Sequence, residues 1–158
     1  MRLVALTLLL AACAPTLESG FDAELTSRGG CADVKFYAVD DADTQMLSLW
    51  VEGLVDAATT AGETQTTVYD LPDPDVELIV EVGHRVSDAT CDDVIENGGP
   101  SIDATFAATD GKATVTIVPG ESTWEARGTL LLEDVTFEGG GTLESFEIAD
   151  TSVGWLAG

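Results

Sequence analysis

The sequence contains very few basic residues. Lys and Arg together number 6, against 29 Asp plus Glu, and the formal net charge at pH 7 is −23. Proteins that bind nucleic acids need clustered Lys and Arg to neutralise phosphates, and a strongly negative chain is repelled by phosphate backbones and by anionic lipid headgroups. The composition therefore argues against DNA or RNA as a partner.

Histidine is almost absent as well. The one histidine is His84, and no G-x-S-x-G elbow or other nucleophile motif accompanies it. A zinc site would need three carboxylates around this single imidazole, which is an uncommon ligand set. Pairs of carboxylates carry no information here, because 29 acidic residues supply many pairs by chance. We expect His84 to end a strand on its core face, and the sequence predicts a non-catalytic protein, with a hydrolase as the second alternative.

No apolar run is long enough to cross a bilayer as a helix, which takes about 20 residues. The most apolar segment is residues 3–12, in which Thr7 is the one polar residue, and Arg2 precedes it. A short positive region followed by about ten apolar residues is typical of a signal peptide. This segment leads directly into Leu10-Ala11-Ala12-Cys13.

These four residues resemble the lipobox of bacterial lipoproteins, in which a Leu and two small residues precede an invariant Cys. The resemblance covers the leader alone. It implies that residues 1–12 are removed as a signal peptide, that the Cys13 thiol receives a diacylglycerol, and that the new amino terminus is acylated, for example with palmitate. Two or more chains, at about 0.8 kcal/mol per buried methylene, hold a protein stably on a membrane. An ordinary secretory signal beside a cysteine is the alternative.

The residues after Cys13 bear on localisation and charge. Ala14 and Pro15 follow it, with no Asp at the next position. Under the sorting rule of some enteric envelopes, this implies transport of the lipoprotein to the outer membrane. Loss of residues 1–12 also removes Arg2, which takes the formal charge from −23 to −24.

Only three cysteines are present. With Cys13 lipidated, Cys31 and Cys91 are the one possible pair in an oxidising compartment. A bridge between them would close a loop of about 60 residues, worth roughly 4 kcal/mol in the chain-entropy treatment. Two free thiols or a redox site are the alternative, but a C-x-x-C spacing is missing.

The rest of the chain consists of short alternating segments separated by Gly, Pro and Asp, which is typical of β-strands. We therefore predict an all-β fold, a single antiparallel β-sandwich of about eight strands that is Ig-like in general architecture. Residues 31–158 would form this domain. Residues 13–30 would be the lipidated N-terminus and a tether, which Phe21 and Leu25 could attach to the domain.

Three local features are also predicted. One short helical turn is expected near residues 88–96, where capping and acidic residues come before Asn97-Gly98-Gly99-Pro100. Asp110-Gly111 is expected to be the turn of a β-hairpin. A bulge near residues 131–134 would reconcile a change of hydrophobic phase in the strand around it.

Two acidic turns are candidate calcium sites. Asp40, Asp41 and Asp43 open the first, and alternating oxygen ligands at Asp41, Asp43 and Gln45 resemble the start of a Ca²⁺ loop. However, Met46 occupies the position where such loops need Gly. Asp70, Asp73 and Asp75 form the second turn. Polar β-turns are the alternative, so we expect no cofactor other than weakly bound Ca²⁺.

The three tryptophans, Trp50, Trp124 and Trp155, could line a platform for a sugar. Trp50 and Glu52 fall on the polar phase of their strand, which makes Trp50 the candidate ligand-binding residue. Packing in the core is the alternative. Altogether the sequence predicts a lipid-anchored extracytoplasmic envelope protein whose role is binding or structural, with an envelope protein or a glycan as partner. A carbohydrate- or Ca²⁺-binding module is the alternative function.

Overall fold

A computed structural model of the chain describes residues 15–88, 90–91 and 98–154. Cys13, Trp155 and most of the helical turn predicted at 88–96 lie outside these residues. The described strands are β1 Leu25–Cys31, β2 Lys35–Asp40, β3 Gln45–Val51, β4 Gln65–Leu71, β5 Val76–His84, β6 Ser101–Val118, β7 Arg127–Phe137 and β8 Thr142–Ser152, with one helix, α1 Leu54–Ala61. No helix in this part of the chain combines the length and apolarity needed to cross a membrane.

The prediction of an all-β antiparallel sandwich of about eight strands is confirmed. The strands pair in the order β1-β2-β3-β5-β6-β7-β8, and β4 pairs with β6 beside this path. The long strand β6 belongs to both layers. Its first part pairs with β5, and its second part lies between β4 and β7. The layers enclose one large core, in which Phe36, Phe137 and Leu49 are among the fully buried side chains.

The free edges of the two layers, β1 and β8, approach each other and nearly close the sheet. The Arg28 guanidinium donates a hydrogen bond to the carbonyl oxygen of Glu147 at 2.5 Å. Gly30 makes this approach possible, because a Cβ atom there would lie only 2.9 Å from the Cγ2 atom of Thr151. The sandwich therefore has a barrel-like closure along this seam.

The predicted hairpin at Asp110-Gly111 is wrong, because β6 continues through it. Gly111 has a φ of 117°, and a Cβ atom there would lie 2.6 Å from the Cα atom of Val135. Ala107 pairs with β5, whereas Gly111 pairs with Leu71 of β4. The dipeptide therefore marks the point where one strand passes from one layer to the other, and it does not reverse the chain.

Two irregularities change which residues face the core. In β7, Asp134 has a φ of 52°, and burial shifts from the phase of Leu132 to that of Val135. The predicted change of phase near residues 131–134 is confirmed. In β5, the register shifts after Val82 and leaves His84 exposed, so the expectation that His84 lies on the core face is wrong.

The folded part of the chain begins well before Cys31. Leu17, Phe21 and Leu25 are 6%, 5% and 2% exposed. The Phe21 ring packs edge-on against Phe137 with centroids 5.6 Å apart. The expected attachment of Phe21 and Leu25 to the domain agrees with the structure. The expected tether of residues 13–30 does not agree with the structure, because β1 pairs with β2 from Leu25 to Cys31.

Helix α1 was not predicted, and its N-terminus is capped from a distant part of the chain. The Asp33 carboxylate accepts hydrogen bonds from the backbone N–H groups of Gly53 and Val55. Val55 and Ala58 are buried in the core. The sequence does not signal this helix, since Val55 continues the alternation of Val51, a short Thr-containing segment has weak helix propensity and its cap is not local.

Cys31 and Cys91 form the predicted disulfide, with Cα atoms 5.6 Å apart. The bridge ties the end of β1 to the segment that follows β5. In that segment Val86 is buried with Val39 and Met46 in a second, smaller core on the outer face of the sheet. The disulfide therefore holds this segment against the outer surface of the sandwich.

We predict that Cys31→Ser/Cys91→Ser lowers the free energy of unfolding by about 4 kcal/mol, because loss of the bridge releases a loop of 60 residues in the unfolded chain. Urea denaturation followed by circular dichroism measures the change. Reduction of the wild-type protein should reproduce the loss and leave the double variant unchanged. Equal midpoints for oxidised wild type and double variant would contradict the prediction.

Candidate functional site

Trp50 lies on the outer face of the sheet, as the polar phase of its strand predicts. Its neighbours in β3, Leu49 and Val51, face the core and are buried, whereas the Trp50 side chain is 46% exposed. In register, Lys35 of β2 stands on one side of Trp50 and Glu77 of β5 on the other. The indole therefore sits in a row of charged residues that crosses three strands.

A cleft of about 460 Å³ opens beside this indole. It lies where the chain passes from β4 in one layer to β5 in the other, through the turn Pro72 to Asp75. We call it the Trp50 cleft, and its lining residues are Trp50, Val51, Glu52, Tyr69, Pro74, Asp75, Val76 and Glu77. Its walls thus come from the ends of three strands and the turn between two of them.

Hydrogen bonds from backbone N–H groups to aspartate carboxylates hold both walls of the cleft. On one side, the Asp33 carboxylate holds the N–H group of Gly53, directly after Glu52. On the other side, the Asp73 carboxylate accepts a hydrogen bond from the N–H group of Asp75 at 2.9 Å. The cleft is therefore formed by the protein itself, and a ligand would not need to order these segments.

The cleft is acidic. Glu52, Asp75 and Glu77 are exposed carboxylates in its lining, and no basic residue is among the lining residues. Burial raises the pKa of the Tyr69 hydroxyl, and the negative charges of Asp73 and Asp75 raise it further. These charges thus create a negative potential that reaches an aromatic side chain of the cleft wall.

The nearest basic neighbour of Trp50 in register is Lys35, and its charge acts on Glu81. Burial raises the pKa of the Glu81 carboxyl, Lys35 opposes this rise, and Glu77 adds to it. Glu81 lies on the same outer face, next to Met46 of β3. Lys35 therefore offsets part of the negative charge on this face of the sheet, beside the cleft.

Trp124 lies elsewhere. It is 61% exposed in a short 3₁₀ turn, Thr123–Glu125, and lines a different cleft of about 580 Å³ over the seam between β1 and β8. The structure therefore does not bring Trp50 and Trp124 into one platform, and Trp155 lies outside the described residues. Side chains lining this second cleft include Arg28, Tyr37, Trp124, Arg127 and Asp150.

The aspartates of the β2–β3 turn have separate structural roles. The Asp40 carboxylate accepts hydrogen bonds from the N–H and hydroxyl groups of Thr44, both at 2.7 Å, and from the N–H group of Gln45 at 2.9 Å. Burial works to raise the pKa of Asp40, but these hydrogen bonds outweigh it, so the pKa lies below its usual value of 3.8. Asp40 thus closes the turn without a metal.

Of the other candidate aspartates, all but Asp75, which lines the Trp50 cleft, have a partner within the protein. Asp41 accepts a hydrogen bond from the hydroxyl of Thr26 at 2.5 Å, and Asp43 accepts one from the N–H group of Ser87 at 2.9 Å. Asp70 is paired with Lys112. Among the described residues, no group of three or more His, Cys, Asp or Glu side chains is arranged to hold a metal ion.

The cleft includes residues that the sequence did not single out. Trp50 and Glu52 were found from the polar phase of β3, and Asp75 from its acidic turn. Tyr69 and Glu77 carried no local signal, because they belong to β4 and β5 and reach the cleft only through the order of the strands.

We predict that Asp40→Ala lowers the stability at pH 7 by about 2 kcal/mol, since charge-assisted hydrogen bonds at the turn are lost. Because the folded-state pKa of Asp40 is depressed, its contribution is present above the unfolded-state pKa and disappears as the pH falls through the lower folded-state value. The deficit should therefore shrink below pH 3.8. Urea denaturation across this range tests the prediction, and Asp103→Ala, at an exposed carboxylate, should change little. A pH-independent deficit would contradict it.

Comparison with known proteins returned no relatives. No family model matches the chain, no curated protein matches its sequence, and no solved structure matches its fold. Its function must therefore be argued from the geometry and chemistry of the Trp50 cleft.

Proposed function

We propose that this chain is a lipid-anchored extracytoplasmic envelope protein, without catalytic activity, that binds a ligand in the Trp50 cleft. The observation that carries the binding role is the half-exposed indole of Trp50 at the wall of a preformed cleft. A large aromatic side chain kept out of the core exposes apolar surface that a bound ligand would cover. The described lining contains no His, Cys or Ser, so it holds none of the residues of a Ser-His or Cys-His nucleophile.

Anchorage through Cys13 is supported by two independent features. The first is the lipobox-like sequence Leu10-Ala11-Ala12-Cys13. The second is the bridge between Cys31 and Cys91, which uses the two other cysteines of the chain. Cys13 is therefore the cysteine that a disulfide within the domain does not need.

The short distance along the chain from Cys13 to the folded domain supports a fixed orientation. Leu17 is buried and its N–H group donates to the carbonyl oxygen of Gly139. The four peptide units from Cys13 to Leu17 can span at most about 14 Å when fully extended. The end of the sandwich that contains Leu17 would therefore face the membrane closely.

The start of β1 and the Trp50 cleft lie at opposite ends of β2 and β3. The segment after Leu17 leads through Phe21 into β1, whose first residue pairs with Asp40 at the β2–β3 turn. From that turn, β3 runs away over seven residues to Trp50 and Val51, a rise of about 20 Å. Neither Leu17 nor its partner Gly139 lines the cleft, so the proposed anchor would leave the cleft open to ligands.

A carbohydrate-binding role is the second candidate, and the neighbours of Trp50 favour it. Sugar rings stack their apolar C–H face on an exposed indole, and carboxylates such as Glu52 and Glu77 accept hydrogen bonds from sugar hydroxyls. The calcium alternative has no comparable support, because Asp40, Asp41 and Asp43 already accept protein hydrogen bonds.

For the anchor, we predict that Cys13→Ser abolishes incorporation of an alkyne-tagged palmitate and releases the protein from membranes, because the thiol that would carry the lipid is lost. Metabolic labelling followed by membrane fractionation measures both effects. Cys31→Ser/Cys91→Ser is the matched control and should remain labelled. Labelling that persists in Cys13→Ser would show that the lipid is attached elsewhere.

For the binding role, we predict that Trp50→Ala reduces capture of the full-length protein by immobilised envelope glycans at least about tenfold, because stacking on the indole is lost. Trp124→Ala, in the other cleft, should bind like the wild type. Mass spectrometry should find the glycans intact after incubation. Equal capture of wild type and Trp50→Ala would exclude glycan binding at this cleft, and cleavage of the glycans would contradict a non-catalytic role.

A further inference from the structure

Three carboxylates line the Trp50 cleft, and no basic residue is among its described lining residues. Glu52, Asp75 and Glu77 reach it from the end of β3, the turn before β5 and the start of β5. None of the three forms an ion pair with another described residue. A neutral ligand would desolvate these carboxylates without compensating their charge, which costs free energy.

Four of the five basic side chains in the described residues are engaged away from the cleft, and the fifth, Lys35, stands beside Trp50 in register without lining the cleft. Lys112 pairs with Asp70, Arg127 pairs with Asp150, and Arg85 pairs with Asp88. Arg28 lies over the ring of Phe146, 4.3 Å from its centroid, at the far seam. The protein thus supplies positive charge at several surfaces and none to the lining of the cleft.

The cleft also contains the second component of a cation site, which is aromatic surface. An ammonium group within about 6 Å of an indole face is attracted by the ring quadrupole, and the attraction grows when the site is partly desolvated. Trp50 is half-exposed in the lining of the cleft, and Tyr69 forms another part of the wall. Asp75 and Glu77 line the same cleft, so acidic and aromatic groups border one space.

We propose that the ligand of the Trp50 cleft carries an organic ammonium group, which lies against the Trp50 indole between the carboxylates of Glu52, Asp75 and Glu77. This inference rests on the proposed binding role and specifies the chemistry that the cleft selects. The ammonium group could belong to a lysine side chain of an exported polypeptide or to an amino sugar. Both sources present the same group, and the experiment separates them.

Isothermal titration of the full-length protein in detergent with two matched pairs of probes tests the proposal. One pair is glucosamine and glucose, and the other is Nα-acetyl-lysine amide and its norleucine analogue. We expect the amine of at least one pair to bind about tenfold more tightly than its neutral partner at low salt. The preference should fall at high salt, which screens exposed charges. The pair that shows the preference identifies the source of the ammonium group.

Variants assign the effect to this cleft. Trp50→Ala and Glu77→Gln should each weaken binding of the preferred amine about fivefold or more, while Trp124→Ala and Asp103→Asn should not. Unchanged thermal midpoints would show that all four variants fold. Affinity that survives Glu77→Gln, Glu52→Gln and Asp75→Asn together would overturn the proposal.

The outcomes separate this inference from the proposed function. Neutral probes that bind as tightly as the amines in a Trp50-dependent manner would overturn the cation preference and leave the binding role intact. If none of the four probes binds but glycan capture still depends on Trp50, the cation preference is overturned and the binding role stands. Failure of all probes and of glycan capture would count against both.

Discussion

The pairing of one long strand with both layers determines the rest of the structure. On one side of β6, the first part pairs with β5 and the second part with β4. Both neighbours are antiparallel to β6, so they run in the same direction, one after the other, along a single edge. Between the two strands the chain leaves the edge of β6, in the turn from Pro72 to Asp75. The Trp50 cleft is the space that this turn leaves between β4 and the layer of β3 and β5.

The acidic residues of this fold fall into two groups, those that accept hydrogen bonds within the protein and those that are exposed at the Trp50 cleft. Asp33, Asp40 and Asp73 accept backbone hydrogen bonds that close a helix start and two turns. Carboxylates are good acceptors for such N–H groups, so these residues stabilise corners of the sandwich without a metal. Among the described residues, Glu52 and Glu77 have no such partner, and both are exposed beside Trp50. The charge available for a ligand is therefore a small part of the total.

Alternation in the sequence was sufficient to predict the strands and the side of β3 on which Trp50 lies, because burial of one face follows a period of two residues. It could not reveal which strands become neighbours. Asp110-Gly111 has the composition of a hairpin turn, yet tertiary pairing extends the strand through it. In the same way, α1 depends on Asp33, which lies beyond any local window. Tyr69 and Glu77 join the cleft only after the layers assemble, so the sequence located Trp50, Glu52 and Asp75 and missed the residues that β4 and β5 contribute.

The position of the proposed anchor limits what the cleft can meet. Since Leu17 is already packed against the sandwich, the lipid at Cys13 would hold the domain close to the membrane and restrict its rotation. The chain has a formal net charge of −23 and is repelled by anionic headgroups. The lining of the cleft includes neither Leu17 nor its partner Gly139, so a domain held through Leu17 would keep the cleft open. The acidic lining repels an anionic headgroup and attracts a cationic group, so the charge of the cleft favours a cationic ligand over the surface of the membrane.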